Sequence, residues 1–347
     1  MNPRLVIVKD RLVKIAPKVG YPLFYLFCLL LFFSWTFPYG RLKERIIASF
    51  NASESASGSP QEMEIDDVTS SFVTGIKLEG IRITTPATDP TKVASELKID
   101  SVVARISLLG MLVGNRDVSF HVKAFGGSID GAYDETGKEN DVDVDLDGVN
   151  VGQIAPLVNA IGLPVEGTLN GTVSLIMPEG KASKANGTMA LEFRDLAVGD
   201  GKAKLKGALA LPRVNIGALT VAGDAKDGAL TLKKLAASGK DIDLQGDGKV
   251  QLRELAMESL LDVNVRFKIN DAYRTKSDVT KSLFGAPGST APALFELADP
   301  KIKQSKRPDG FYAWHARGQL GRLDFAPAGG AAAGTPFQGL GPARNLE

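Results

Sequence analysis

The sequence predicts a mainly β protein. An N-terminal transmembrane helix is expected to lead into a long, curved antiparallel sheet with few short helices that forms an open groove, with a β-sandwich as the runner-up. Two observations carry this reading. Residues 20–37 are uncharged and dominated by Leu and Phe, and from about Met63 onward short segments alternate apolar and polar residues with little helical periodicity between them. The 347 residues suffice for one large domain or two ordinary ones.

The first element is the run GYPLFYLFCLLLFFSWTF. A helix needs ~20 apolar residues to span a bilayer, with a range of ~17–25, so this run is just long enough. Its anchoring side chains are Tyr21, Leu23, Phe24, Leu26, Phe27, Leu29, Leu30, Leu31, Phe32, Phe33 and Trp35. Tyr21 and Tyr25 near one end, and Trp35 and Tyr39 near the other, match the aromatic belts of membrane interfaces. A cleaved signal peptide is the competing reading. It needs a shorter apolar core and a small-residue cleavage site, whereas bulky Trp35, Phe37 and Tyr39 follow here. An uncleaved signal anchor is therefore expected. Arg4, Lys9, Arg11, Lys14 and Lys18 precede the run, against Arg41, Lys43 and Arg45 after it, which keeps the N-terminus on the cytoplasmic side.

The expected layout is a cytoplasmic tail over 1–19, the anchor over 20–39, a juxtamembrane segment and linker over 40–62, a β-rich exported domain over 63–325, and a disordered tail over 326–347. The small-polar end of Ile46–Pro60 suggests a linker or loose loop. The final residues are rich in Ala, Gly and Pro without hydrophobic period.

In the body, period-two alternation marks strands with one dry face and one wet face. Leu169, Val173 and Leu175 share one parity; Leu191, Leu209, Leu244, Val250, Val265 and Phe267 hold the apolar parity of later segments. About fourteen strands are expected. Asp130-Gly131, Asp200-Gly201 and Asp227-Gly228 suggest hairpin turns. Only Ser107–Val113 and Val151–Ile161 look helical, too little to cover the dry face. The sheet must therefore fold over itself, close into a barrel, or curve into a groove holding something apolar. The nine residues just named are the candidate lining of such a groove.

Composition argues against catalysis and against nucleic acid. Lys and Arg total 41 and Asp and Glu 40, for a net charge of +1 without a basic stripe. The single cysteine, Cys28, excludes an intramolecular disulfide and any CxxC site. His121 and His315 lie far apart and lack a nucleophile elbow or an HExxH context. Asp143-Val-Asp-Leu-Asp147-Gly148 matches the start of a calcium loop, but Ile154 holds the closing position where a bidentate Glu is needed. The solvated face of a strand accounts for it. No metal, cofactor or catalytic residue is expected.

Several segments carry a resemblance. They are Leu163-Pro-Val-Glu-Gly-Thr-Leu-Asn-Gly, the stretch from Leu235 through Ser238-Gly-Lys-Asp-Ile-Asp-Leu to Leu252, Met257 to Ile269, and Arg307-Pro-Asp-Gly-Phe-Tyr-Ala-Trp-His-Ala-Arg-Gly. Together with the anchor they resemble the type II secretion system protein N (GspN) family over residues 15–325. The glycine-started strands are also similar to AsmA-like proteins, whose curved sheets are thought to hold lipid. The resemblance implies a single-pass protein of a bacterial inner membrane with a periplasmic β-rich body. It implies a non-catalytic component or accessory factor of the type II secretion system, with partners in a secretion complex. The alternative is an AsmA-like lipid-binding or lipid-transfer protein of the cell envelope.

Overall fold

The computed structural model describes residues 20–328, apart from 23, 26, 30, 33–34, 58–60, 73, 87–94, 203, 206–208, 290–292 and 321. The chain is mainly β, with antiparallel strands and few short helices. It divides into two compact units, Met1–Gly180 with Leu205–Gly207, and Lys181–Lys204 with Ala208–Glu347.

The first unit opens with helix α1 (Tyr39–Ser57) and continues through β1 (Glu62–Ser71), β2 (Gly75–Thr85) and β3 (Ser95–Ile106). Helix α2 (Leu108–Leu112), β4 (Arg116–Ala124), β5 (Gly127–Thr136), β6 (Glu139–Asn150), helix α3 (Ala155–Ile161) and β7 (Val165–Pro178) complete it. Each of these strands pairs antiparallel with its chain neighbour within the unit.

Helix α1 occupies much of the segment expected to be a linker. Pro38 breaks the preceding helical residues, because the residue before a proline avoids helical geometry. The new helix then lays Tyr39, Leu42, Ile46 and Ile47 against Ile65, Val68, Leu78 and Ile81 of β1 and β2. Burying such aliphatic side chains contributes roughly 1–2 kcal/mol each, which offsets the weak apolar periodicity of a serine-rich helix. The strands adapt to the roof. Ile65 and Val68 lie three residues apart yet both are buried, as are Leu78 and Ile81. Strict alternation would send one of each pair outward, so the parity changes at Asp66–Asp67 opposite Glu79–Gly80, where Gly80 has φ 62°.

The second unit contains β8 (Asn186–Val198), Lys204 of the two-residue strand β9 (Lys204–Leu205), the two-residue strand β10 (Leu209–Ala210), then β11 (Val214–Lys226), β12 (Ala229–Ser238), β13 (Ile242–Gln251) and β14 (Leu260–Ile269). Four short helices follow, α4 (Asp271–Arg274), α5 (Asp278–Phe284), α6 (Leu294–Ala298) and α7 (Pro300–Ser305), before β15 (Tyr312–Gln319) and β16 (Arg322–Pro327). The long strands again pair in chain order within the unit. In each unit the long strands belong to one sheet, so neither unit by itself is a two-sheet sandwich.

The helices between β14 and β15 were not expected. Tyr273 is fully buried among them and donates its hydroxyl to Pro212 O at 2.6 Å. Val214, Leu283 and Phe284 pack around it. Helix α5 starts with a capping box: Thr280 N donates to Ser277 Oγ and Ser277 N to Thr280 Oγ1.

Asp227-Gly228 forms the β11–β12 turn, with φ of 50° and 75°. Asp130-Gly131 does not form a turn. It lies inside β5, where Gly131 leaves room for a neighbouring ring. Strand β16 takes in Ala326 and Pro327, and the remainder of the expected tail beyond residue 328 lies outside the described residues.

Candidate functional site

The anchor candidates come first in the chain. Tyr21, Phe24, Phe27, Leu29, Leu31, Phe32 and Trp35 are helical, and all seven are exposed. Thr36 folds its hydroxyl back onto Phe32 O at 2.8 Å, the back-bond to the preceding turn that a helical hydroxyl can make. Leu23, Leu26, Leu30 and Phe33 lie outside the described residues. Among the described residues no helix is long and apolar enough to cross a membrane.

Antiparallel partners point to the same sheet face, so register shows which side chains meet. In the first unit three apolar rows cross the strands. One runs Leu78, Val102, Val122, Ile129, Leu146; the next Ile76, Ala104, Phe120, Gly131, Val144, Val173; the third Ile106, Val118, Tyr133, Val142, Leu175. Leu169 pairs with Val149 beyond a bulge in β6 and keeps the parity of Val173 and Leu175. All three groove candidates of this unit therefore share one face, and all three are half-buried. Over β4–β7 the apolar side chains of these rows stay half-exposed, unlike the buried cluster under α1.

The second unit repeats the arrangement. Leu191, Val221, Leu235, Gly246, Val265, Trp314 and Pro327 form one row. Phe193, Leu219, Ala237, Leu244, Phe267 and Tyr312 form the next. Val250 lies between Leu230 and Leu261 on the same face. Leu191, Leu244, Val265 and Phe267 are half-buried, while Val250 is buried at 8% exposure. The side chain of Leu209 lies outside what is described, so its place on this face is left open.

Sequence reasoning missed Val221, Leu235, Trp314 and Tyr312 as members of these rows. A bulge between Leu232 and Leu235 hides the parity of β12. The Tyr312, Trp314, Ala316 alternation was the available signal for β15.

One end of the second unit's apolar face meets an aromatic stack. Phe267 stacks on Tyr312 at 5.4 Å, Tyr312 meets Phe295 edge-on at 5.6 Å, and Phe295 contacts Phe284 at 5.4 Å. Buried Glu296 holds this end together, accepting from Lys306 Nζ at 2.6 Å and Tyr312 Oη at 2.8 Å. Burial pushes its carboxyl up, but those two hydrogen bonds and the charges of Lys306 and Lys303 outweigh burial and hold it below the usual carboxylate value. Burial, reinforced by Glu296, pushes the Tyr312 phenol up.

The opposite face of the first unit is polar. Asp141, Asp143, Asp145 and Asp147 stand there on β6, across from Asp134, Ala132, Asp130 and Ser128. The calcium-loop match thus falls on alternating positions of a strand. His121 Nδ1 lies 2.5 Å from Asp130 Oδ1, beside a depression of about 520 Å³ that Arg105, Ser119, Asp143 and Asp145 also line. In the second unit His315 Nε2 lies 2.6 Å from Asp262 Oδ1 on the polar face. Both pairs bridge adjacent strands and are solvent-accessible. Among the described residues no group of three or more His, Cys, Asp or Glu is placed to hold a metal.

Two of the segments singled out in the sequence build turns. In Ser238–Leu244, buried Asp241 accepts from Asn215 N at 2.8 Å and fixes the β12–β13 turn. In Arg307–Tyr312, Arg307 N donates to Phe311 O at 2.7 Å and Phe311 N to Asp309 Oδ1 at 3.1 Å. The Phe311 ring then lies under the guanidinium of Arg266 at 5.0 Å. No protein-family model, curated protein or solved structure matches the chain.

Proposed function

We propose that this chain is a non-catalytic, membrane-anchored protein of the bacterial cell envelope whose periplasmic body binds lipid acyl chains along open apolar sheet faces. One observation carries the reading: in each unit the apolar parity of neighbouring strands lines up into rows, and although members such as Leu78, Ala237 and Tyr312 are buried, those over β4–β7 and Leu191, Leu244, Val265 and Phe267 stay only half-buried. Contiguous apolar surface on soluble proteins rarely exceeds ~300–600 Å², because water disfavours it. Rows of Leu, Val and Phe across several strands ask for an apolar cover, and an extended hydrocarbon chain fits a pleated surface without requiring polar partners. The exposed, helical Tyr21, Phe24, Phe27, Leu29, Leu31, Phe32 and Trp35, within the uncharged run 20–37, support the anchor.

The test is mass spectrometry of the full-length protein, extracted from membranes and purified, for co-purifying lipid. Stoichiometric lipid retained through purification is expected, and its absence from native-like preparations sinks the reading.

The role in type II secretion rests on the resemblance of Ser238–Leu244 and Arg307–Tyr312. In that reading the body works as an accessory factor through protein contacts at the inner membrane. Deleting the chain should then lower export of folded cargo. Unchanged cargo export removes that role while leaving lipid binding to its own test.

A further inference from the structure

The connection from β3 to β4 is a firmly held turn with an apolar tip. Ser107 N donates to Asp117 O at 2.9 Å, Gly110 N to Ser107 Oγ at 3.1 Å, and Asn115 N to Gly110 O at 2.9 Å. The tip so held presents Met111, Leu112 and Val113, which are 57%, 82% and 74% exposed. Three consecutive apolar side chains held outward by hydrogen bonds are costly in water and out of place on a surface without a function.

The β1–β2 turn lies beside this tip, joined to it by Ile106 N donating to Thr74 O at 3.2 Å. It presents Phe72, 86% exposed and at φ 62°, a conformation that bulky residues avoid.

Helix α1 fixes where the anchor leaves the unit. Asn51 Oδ1 accepts from Met63 N near the start of β1, and Lys43 Nζ donates to Asp66 O farther along it. The helix therefore runs antiparallel to β1, and at ~1.5 Å per residue Pro38 comes level with the last residues of the strand. Those residues lead directly into Phe72. The apolar helical stretch thus departs at the end of the unit that carries both exposed turns. Trp35 and Tyr39 are separated by at most ~14 Å of chain, so this end is tethered close to whatever holds the apolar stretch. Arg41 and Arg45 on α1 are exposed there, suited to anionic headgroups.

We propose that this end of the first unit is a second membrane contact. Phe72 and Met111–Val113 dip into the interfacial zone of the bilayer that holds the chain's own anchor, with Arg41 and Arg45 at headgroup level. The inference rests on the anchor reading and adds a docked orientation, since a single span would leave rotation about the membrane normal and tilt of the body unset.

The test uses the full chain with Cys28→Ser, reconstituted into vesicles of phosphatidylethanolamine and phosphatidylglycerol. An environment-sensitive fluorophore is attached at Leu112→Cys, or at Asp147→Cys on the opposite end of the sheet. Blue-shifted emission at position 112, quenched by spin-labelled lipid, is expected, with water-like emission at 147. Water-like emission at both positions in protein that floats with the vesicles overturns the docked orientation and leaves the anchor standing. Protein that fails to float overturns the anchor and this inference together. Capture of the position-112 probe by a protein, without lipid quenching, also overturns it.

Discussion

Phe120 of β4 and Gly131 of β5 are direct cross-strand partners, and the phenyl ring lies across the glycine, occupying the space a β-carbon at 131 would need. The glycine is thus a packing residue inside a strand, covered by its neighbour's ring. Gly131→Ala should displace the ring and cost roughly 1–3 kcal/mol, as overpacking does. Phe120→Ala in the same chain should remove most of that additional cost. Denaturant unfolding of the two single variants and the double variant measures the coupling, and strict additivity would show that the ring and the glycine are independent.

Charge on the apolar face separates its open parts from its closed ones. Val263 is buried at 4% exposure, whereas Val265, one pleat along the same face of β14, is half-buried. Val263→Asp should cost several kcal/mol, roughly 3–5, because the carboxylate has no partner in its pocket. Val265→Asp should cost less, about 1–2 kcal/mol, because its charge can reach water. It should nonetheless reduce the lipid retained on purification. Equal collapse of both melting temperatures would mean that the face is closed.

Glu296 makes the second unit acid-sensitive. Its carboxyl sits below its ordinary value in the folded chain, so it stabilises the fold above that ordinary value, ~4.3, and loses its contribution as pH falls toward and through the folded value. Glu296→Gln should be less stable at neutral pH by about 1–3 kcal/mol, since a charged acceptor for Lys306 and Tyr312 is gone. It should also flatten the acid limb of the stability profile. Urea unfolding between pH 3 and pH 7 checks both, and an unchanged acid limb in the variant would rule out this carboxyl as its source.

The histidines should be dispensable. His121 sits against Asp130, whose cross-strand partner is Asp145, in a solvent-accessible polar row. His121→Ala and His315→Ala should each change stability by no more than about 1 kcal/mol, because both pairs are solvent-accessible. Lipid retention and cargo export should be unaffected. A loss of either without unfolding would point to chemistry at these sites.

The sheet was legible where alternation is regular. Leu169, Val173 and Leu175 on β7 share one face of the first unit, and Val265 and Phe267 on β14 share one face of the second, because no bulge interrupts those stretches. Helix α1 was hidden because its apolar positions, Tyr39, Leu42 and Ile46, are few and its second half is small and polar; tertiary packing stabilises it. Helices α4–α7 are four to seven residues long, too short for periodicity to register. Their local marks were Ser277 with Thr280, and Asp299 before Pro300, where Asp299 Oδ1 accepts from Lys301 N at 2.8 Å. Gly131 looked like a turn glycine because Asp-Gly spacing alone does not distinguish a hairpin tip from a strand position beneath an aromatic ring.

The pairing of every long strand with its chain neighbour, within each unit, has a kinetic meaning. Apart from β14 and β15, which pair across helices α4–α7, contacts between sequence neighbours close short loops, so such a sheet should form faster than all-β folds whose strands pair across long separations. It can also grow hairpin by hairpin while the rest of the chain is still emerging from a ribosome or a translocation pore, with no early strand waiting for a late one. Because direction alternates, the gain or loss of one complete hairpin leaves every remaining side chain on its own face. Variation in length among chains built this way should therefore come in pairs of strands, at little cost to the surface they present.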